Sequence, residues 1–141
     1  MKEIVYISYT RNDSELAKYL ANVLENNDID VWLDVKDIQS GKKIEEEIVR
    51  GLNRSTSMIV LLGETSFSST YVRDEIEYAL LNNKLQNKVL PVFIKERDRI
   101  DYDKLPWILR KLKFLVIDSK DNKKTNVNLI KKEYFRMIRG R

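Results

Sequence analysis

The sequence contains no cysteine and no histidine among its 141 residues. The absence of cysteine excludes disulfide bonds and thiol chemistry, and both absences together remove the side chains from which zinc sites are usually built. Without histidine, a Ser-His-Asp triad and an imidazole proton shuttle are also excluded. If the chain is an enzyme, its chemistry must use carboxylates, hydroxyls, lysine, arginine or backbone groups. Carboxylate chemistry is the leading candidate by elimination, and we expect no metal.

Glycine is scarce, with four residues in the whole chain, and long apolar segments are missing. There is no G-x-G-x-x-G motif, and Lys36 stands where a P-loop ending in Gly41-Lys42 needs its first glycine. No apolar segment approaches the ~20 residues of a membrane-spanning helix, and the N-terminus lacks a signal-peptide pattern. We therefore expect a protein of the cytoplasm without a membrane partner.

Charge is unevenly distributed along a chain whose composition is otherwise that of an ordinary globular protein. The net charge is +4, but residues 120–141 hold eight Lys/Arg against two acidic residues, which leaves −2 for residues 1–119. The body of the protein is therefore not a basic platform for nucleic acid, and the basic C-terminal segment is typical of a solvated helix face. The length suits a single domain, residues 1–141.

Short apolar runs alternate with helical patterns along the chain. The runs predict strands at Ile4–Ile7, Val31–Leu33, Met58–Leu62, Val89–Ile94 and Phe114–Ile117. Apolar residues at helical spacing predict helices over about 14–27, 44–52, 72–80 and 126–138, and residues 34–43 and 64–70 are predicted to be loops. This alternation predicts an α/β fold, a small doubly wound five-stranded parallel sheet of order 2-1-3-4-5 with helices on both faces.

In sheets of this kind, ligands bind beyond the carboxyl ends of the strands, where the strand order reverses. For the order 2-1-3-4-5, this switch point lies between strands 1 and 3. Asp34 could equally start a turn there, Gly41 could supply a positive φ, and Arg11 could be a solvated charge or meet phosphate or a partner subunit. The residues predicted to line the crevice from the first two strands are Ser8, Tyr9, Thr10, Arg11, Asp34 and Gly41.

Four segments that converge on this crevice resemble the TIR family. The family's first box reads roughly F-I-S-Y, its second-strand loop W/F-x-D-x-x-x-I-x-x-G, and its enzymatic members carry S-x-W-x-x-x-E at the head of the third helix. The resemblance covers the chain nearly to Val92. The matching residues are Ile7-Ser8-Tyr9, Trp32-x-Asp34-x-x-x-Ile38-x-x-Gly41, the apolar strand Ile59–Leu62, and Ser69-x-Tyr71-x-x-x-Glu75.

The resemblance implies a flavodoxin-like TIR fold and a specific activity. Enzymatic TIR domains cleave NAD⁺ at the nicotinamide–ribose bond, and the glutamate matched by Glu75 is their essential residue. NAD⁺ is the substrate, no cofactor is needed, and the product is ADP-ribose or a cyclic ADP-ribose signalling nucleotide. Many bacterial members act in antiphage defence, as in Thoeris systems. Tyr71 replaces the usual tryptophan but keeps an aromatic face for stacking on the substrate.

The resemblance also implies partners. TIR relatives commonly complete their site with the loop after the second strand, in a head-to-tail contact between copies, so we expect a homo-oligomer. A chain this short implies a separate or fused effector or sensor. We expect the crevice formed by Ser8, Asp34 and Glu75 to be open on one side in a single chain.

Glu75 has a chemical rationale that does not depend on the resemblance. Tyr71 and Glu75 are four residues apart and share one side of a helix, near its N-terminus. A fixed carboxylate at that point can stabilise the oxocarbenium-like ribose that forms as nicotinamide departs. The structural alternative is that the helix dipole favours a glutamate there.

Two other functions stay open: a silent adaptor acting through TIR–TIR contacts, and a nucleoside-processing enzyme such as a deoxyribosyltransferase.

Overall fold

The structure is a computed structural model that describes residues 2–35, 42–63, 70–82, 85, 87–95 and 112–140. Within these ranges the chain forms five strands, four α-helices and one short 3-10 helix at Arg11–Asp13. The strands are β1 (Ile4–Tyr9), β2 (Asp30–Val35), β3 (Ser57–Leu62), β4 (Val89–Lys95) and β5 (Leu115–Asp118). The helices are α1 (Ser14–Glu25), α2 (Lys42–Arg54), α3 (Thr70–Leu81) and α4 (Lys123–Ile138).

All neighbouring strands pair in parallel, in the order β2-β1-β3-β4-β5. This confirms the predicted sheet. β1 lies between β2 and β3, and its residue Ser8 is in register with Asp34 of β2 and with Val60 of β3. The strand order therefore reverses at β1, and the carboxyl ends of these three strands meet at one edge of the sheet.

Helices cover both faces of the sheet. Consecutive side chains of a strand point to opposite faces, so each inner strand contributes apolar residues to both layers. On one face lies the α1/α4 cluster, which consists of residues such as Val5, Ile7, Tyr9, Leu20, Ile59, Leu61, Ile130 and Tyr134. On the other face lies the α2/α3 cluster, which consists of residues such as Tyr6, Leu52, Met58, Val60, Leu62, Ile76 and Phe93. β3 is buried along its whole length, as expected for a strand between two layers of helices.

Several element boundaries differ from the predicted ones by one to three residues. α4 begins at Lys123 rather than Asn126, because Asn122 caps it: the Asn122 side chain accepts a hydrogen bond of 2.7 Å from the backbone N–H of Lys124. The first three residues of the helix are polar and exposed, so the spacing of apolar residues could not reveal them. α1 ends at Glu25, and Asp28, with φ of 66°, turns the chain towards β2.

The two predicted loops are also shorter within the described residues. β2 continues through Val35 and α2 begins at Lys42, while α3 begins at Thr70.

Across the described part of the chain, no helix combines the length and the apolar character that crossing a membrane requires.

Candidate functional site

The carboxylate of Glu75 is buried against β1. Glu75 lies in the second turn of α3, and only 1% of its surface is exposed. The Tyr6 hydroxyl donates a hydrogen bond of 2.6 Å to Oε2, and the Ser8 hydroxyl donates one of 3.2 Å to Oε1. A buried carboxylate is costly unless hydrogen bonds replace those it made to water, and a 2.6 Å contact is typical of an O–H donor to a charged oxygen. The two hydroxyls therefore hold α3 to the sheet at this carboxylate.

The alternation of β1 explains why two of its hydroxyls reach one carboxylate. Tyr6 and Ser8 are two residues apart, so their side chains leave the same face of the strand, about 7 Å apart. The tyrosine side chain is long and the serine side chain is short. Their hydroxyls can therefore reach the same carboxylate although the two residues start from different points along the strand. α3 packs over this face, and Ile76, next to Glu75, lies in the same α2/α3 cluster as Tyr6. The site therefore consists of three hydrogen-bonded side chains, those of Tyr6, Ser8 and Glu75, within an otherwise apolar layer between α3 and the sheet.

Gly51 brings the backbone of α2 directly against this arrangement. A β-carbon added at Gly51 would lie 2.7 Å from Cε2 of Tyr6 and 2.6 Å from Nε1 of Trp32. Both distances are far below van der Waals contact, so only glycine fits. Tyr6 and Trp32 are in register on neighbouring strands. Their rings and the bare backbone of α2 therefore form the support that fixes the direction of the Tyr6 hydroxyl. Trp32 is half-buried and packs on the α2/α3 cluster.

The residues predicted at the end of β1 and directly after it have different surroundings. Ser8 contacts Glu75, as described. Tyr9 is 7% exposed and belongs to the α1/α4 cluster, on the opposite face of the sheet. The structure therefore does not bring Tyr9 to Glu75, since the next residue of a strand points the other way. Thr10 is half-buried and its hydroxyl donates a bond of 3.4 Å to Asp13, and Arg11 begins the 3-10 helix with an exposed side chain.

The remaining predicted residues are described only in part. The register places Asp34 beside Ser8 at the end of β2, as expected, but its side chain lies outside the described residues. Tyr71 lies on α3 one turn before Glu75, and its side chain also lies outside them, as does the whole of Gly41. Within the described ranges, no group of three or more acidic side chains is arranged as metal ligands would be.

The open crevice expected in a single chain is not observed at Glu75. Ser8 and Glu75 are each only 1% exposed. The carboxylate instead faces the hydroxyls of Tyr6 and Ser8.

Sequence reasoning missed Tyr6. Tyr6 lies in a short apolar run, which predicts a buried residue of the core, and its ring is indeed buried in the α2/α3 cluster. The available signal was the hydroxyl: a buried tyrosine O–H needs a hydrogen-bond partner. The box quoted above has phenylalanine at this position, so the hydroxyl is an addition to the pattern. The partner itself could not be found from sequence, because it lies 69 residues away.

Comparisons with known proteins agree with this architecture. A family model described as "TIR domain" matches residues 5–130. The RPS4 and RRS1 TIR domain heterodimer is 15% identical over 96% of this chain and 98% of that chain, with a TM-score of 0.71. The TIR domains of the activated Roq1 resistosome are 17% identical over 94% and 99%, with a TM-score of 0.65.

A third similar structure comes from an animal. The TIR domain of the Toll-related receptor TRR-2 from Hydra magnipapillata is 23% identical over 96% of this chain and 98% of that chain, with a TM-score of 0.66. Identities this low establish the fold alone. The family match is of a different kind, since it spans β1 to the middle of α4. On that match, the chain belongs to the TIR domain family.

Proposed function

We propose that this TIR domain cleaves NAD⁺ at the nicotinamide–ribose bond. The observation that carries the proposal is the buried Glu75 carboxylate, which receives one hydroxyl on each oxygen beside the switch point of the sheet. Enzymatic TIR domains carry their essential glutamate at this position of the motif. A carboxylate fixed in a low-dielectric site interacts with a developing positive charge far more strongly than one in water.

The proposed reaction places that charge on the substrate. The bond between the ribose C1′ and the nicotinamide nitrogen breaks, and its electron pair leaves with nicotinamide. The ribose becomes oxocarbenium-like, and the negative charge of Glu75 stabilises it. Water then adds to C1′ to give ADP-ribose, or a nucleophilic atom of the same nucleotide adds to give a cyclic product. NAD⁺ is the substrate, and the step needs no further cofactor.

We propose that the substrate is held by residues at the carboxyl ends of β1 and β2 and at the head of α3. Arg11 is exposed and can meet a phosphate, and Thr10 precedes it. Tyr71 supplies the stacking surface, one turn before Glu75. Asp34, at the end of β2, and Gly41, which follows that strand in the sequence, complete the proposed set. Tyr9 is not part of this proposal, because it packs in the core of the opposite face.

We propose that catalysis requires assembly. The burial of Glu75 in the single chain favours this, since a rearrangement is needed before substrate can touch the carboxylate. Two of the similar structures are assemblies of TIR domains, a heterodimer and a resistosome. A head-to-tail contact joins unlike surfaces and can extend into open filaments. The setting that fits is a cytoplasmic, bacterial antiphage signalling system in which a separate or fused effector or sensor responds.

The same observation favours a second candidate, a silent adaptor. A buried carboxylate that accepts hydroxyls from β1 is also a good anchor between α3 and the sheet. In that case Glu75 contributes only to the fold, and the domain acts through TIR–TIR contacts. The two candidates differ in whether NAD⁺ is consumed.

The test is the release of nicotinamide from NAD⁺, measured from dilute to concentrated protein so that activity requiring assembly is detected. Wild-type protein is expected to release nicotinamide, with a specific activity that rises with concentration. Glu75→Gln keeps the volume but removes the charge, and it should lower the rate roughly 10²–10³-fold.

Glu77→Gln is the matched control. It removes the same charge from an exposed position two residues further along α3, and it should leave the rate unchanged. Circular dichroism establishes that both variants fold. Near-normal release by a folded Glu75→Gln protein would contradict the assignment of Glu75. A wild-type protein that releases no nicotinamide at any concentration supports the adaptor.

A further inference from the structure

We infer that Tyr6 is the residue that positions Glu75 for catalysis, and that the two oxygens of the carboxylate have different roles. Tyr6 holds Oε2 throughout, whereas Oε1, on the Ser8 side, is the oxygen that turns to the substrate. This inference rests on the proposed function and deepens it, because it names the groups that aim the carboxylate.

The two hydrogen bonds differ in length. Tyr6 donates to Oε2 at 2.6 Å, and Ser8 donates to Oε1 at 3.2 Å. Short O–H contacts to a carboxylate are the strong ones, and contacts beyond about 3.0 Å lie outside the usual range for O–H donors. The Ser8 bond is therefore the one that a ribose hydroxyl can replace at the lower cost.

The two donors also differ in place. Ser8 lies two residues nearer than Tyr6 to the carboxyl end of β1, which is the edge where ligands enter sheets of this order. Tyr6 lies deeper, with its ring within the α2/α3 cluster. A ligand approaching from the edge meets the Ser8 side of the carboxylate first.

The Tyr6 ring is held more tightly than an ordinary core side chain. The backbone of α2 at Gly51 leaves no room for a methyl group beside Cε2 of Tyr6 or beside the Trp32 indole. The bare backbone of α2 therefore limits how far the ring can move towards that helix, which restricts the direction of its hydroxyl. A carboxylate hydrogen-bonded to such a donor loses its freedom to rotate, and fixed groups need no reorganisation during the reaction.

The chain supplies a matched control on the other face of the sheet. The Tyr134 hydroxyl lies 2.7 Å from the Ser57 hydroxyl, and both residues are fully buried. Tyr6→Phe and Tyr134→Phe therefore each remove one buried, hydrogen-bonded hydroxyl and leave the ring. Both variants test the loss of a buried hydroxyl, but only Tyr6 contacts the proposed catalytic carboxylate.

The first experiment measures kcat and KM for nicotinamide release. Tyr6→Phe should lower kcat roughly 10- to 100-fold with KM changed less than about threefold, as expected for the loss of a hydrogen bond to a charged group. Tyr134→Phe should stay within about twofold of wild type in both constants. Equal kcat values for the two variants would overturn the positioning role. Ser8→Ala should lower kcat less than Tyr6→Phe does, and the opposite order would assign the fixed bond to Ser8.

The second experiment tests the contact without using activity. Urea unfolding of Tyr6→Phe, Glu75→Leu and the double variant forms a double-mutant cycle, since leucine removes the acceptor that glutamine would keep. The double variant should unfold at a urea midpoint no lower than that of Glu75→Leu, because Tyr6→Phe then removes a hydroxyl whose acceptor is already gone. Additive midpoint shifts would overturn the contact. If the cycle shows coupling but wild type releases no nicotinamide, the proposed function fails, and the catalytic role of Tyr6 fails with it.

Discussion

The two faces of the sheet each bury a tyrosine hydroxyl and a serine hydroxyl, and on the α2/α3 face these hydroxyls meet a carboxylate. On the α1/α4 side, Tyr134 and Ser57 satisfy each other at 2.7 Å. On the α2/α3 side, Tyr6 and Ser8 both donate to Glu75. A neutral pair costs little to bury, since each hydroxyl can donate and accept. The trio instead brings an acidic group into an apolar layer, which a fold alone does not require.

The difference suggests separate reasons for the two arrangements. Buried charges are seldom a source of net stability, because well-packed apolar residues of similar volume often do as well. The Tyr134–Ser57 pair is therefore explained by packing and pairing. For the Tyr6–Ser8–Glu75 trio we propose a functional reason, the action of a fixed carboxylate on a substrate. The following predictions test whether this contrast holds.

The largest effect is expected when the carboxylate alone is removed. Glu75→Leu leaves two buried hydroxyls without their acceptor, and it should lower the free energy of unfolding by about 2–5 kcal/mol in urea titrations. Adding Tyr6→Phe and Ser8→Ala to Glu75→Leu removes the orphaned donors and should recover most of that loss, giving a stable protein without activity. A triple variant no more stable than Glu75→Leu would mean that the trio serves the fold after all.

A smaller effect is expected at the support of the trio. Gly51→Ala forces a methyl group against Tyr6 and Trp32, which should cost about 1–3 kcal/mol of unfolding free energy despite the better helix propensity of alanine. Val49→Ala, at an exposed position of α2, is the control and should change stability by less than about 0.5 kcal/mol. Gly51→Ala should also lower nicotinamide release more than Tyr134→Phe does. Unchanged stability would show that α2 can move away from β1 freely.

The smallest effect is confined to alkaline pH and to the neutral face. Burial raises the pKa of Tyr134 well above its usual value, and the Ser57 hydrogen bond offsets only part of this rise. The unfolded tyrosine ionises near pH 10, so the contribution of Tyr134 is complete below that pH and declines as the pH rises above it. Tyr134→Phe should therefore show a shallower loss of stability above about pH 10 than wild type. Identical alkaline profiles would contradict the assigned burial.

The order of the sheet could be predicted because each strand is a short apolar run set between helical patterns. The pairing of Ser8 with Glu75 could also be predicted, since the topology brings the end of β1 and the head of α3 together. The sequence also allowed a prediction of which face each β1 side chain occupies. Side chains alternate along a strand, so Ser8 and Tyr9, as neighbours, must point to opposite faces. The sequence could not supply the burial of Glu75 or the close contact between α2 and the Tyr6 ring. Both depend on how the helices pack on the sheet, and the role of Gly51 becomes visible only once Tyr6 and Trp32 are in place.

The bond between Tyr6 and Glu75 joins residues 69 positions apart in the chain. Contacts of this separation form late in folding, because the entropy of closing the intervening loop has to be met first. In a partly unfolded chain, α3 can form while it is separated from β1, and Glu75 then lacks the Tyr6 and Ser8 donors. Any activity that depends on this bond is therefore absent until β1 and α3 have come together, so the native fold itself acts as the switch.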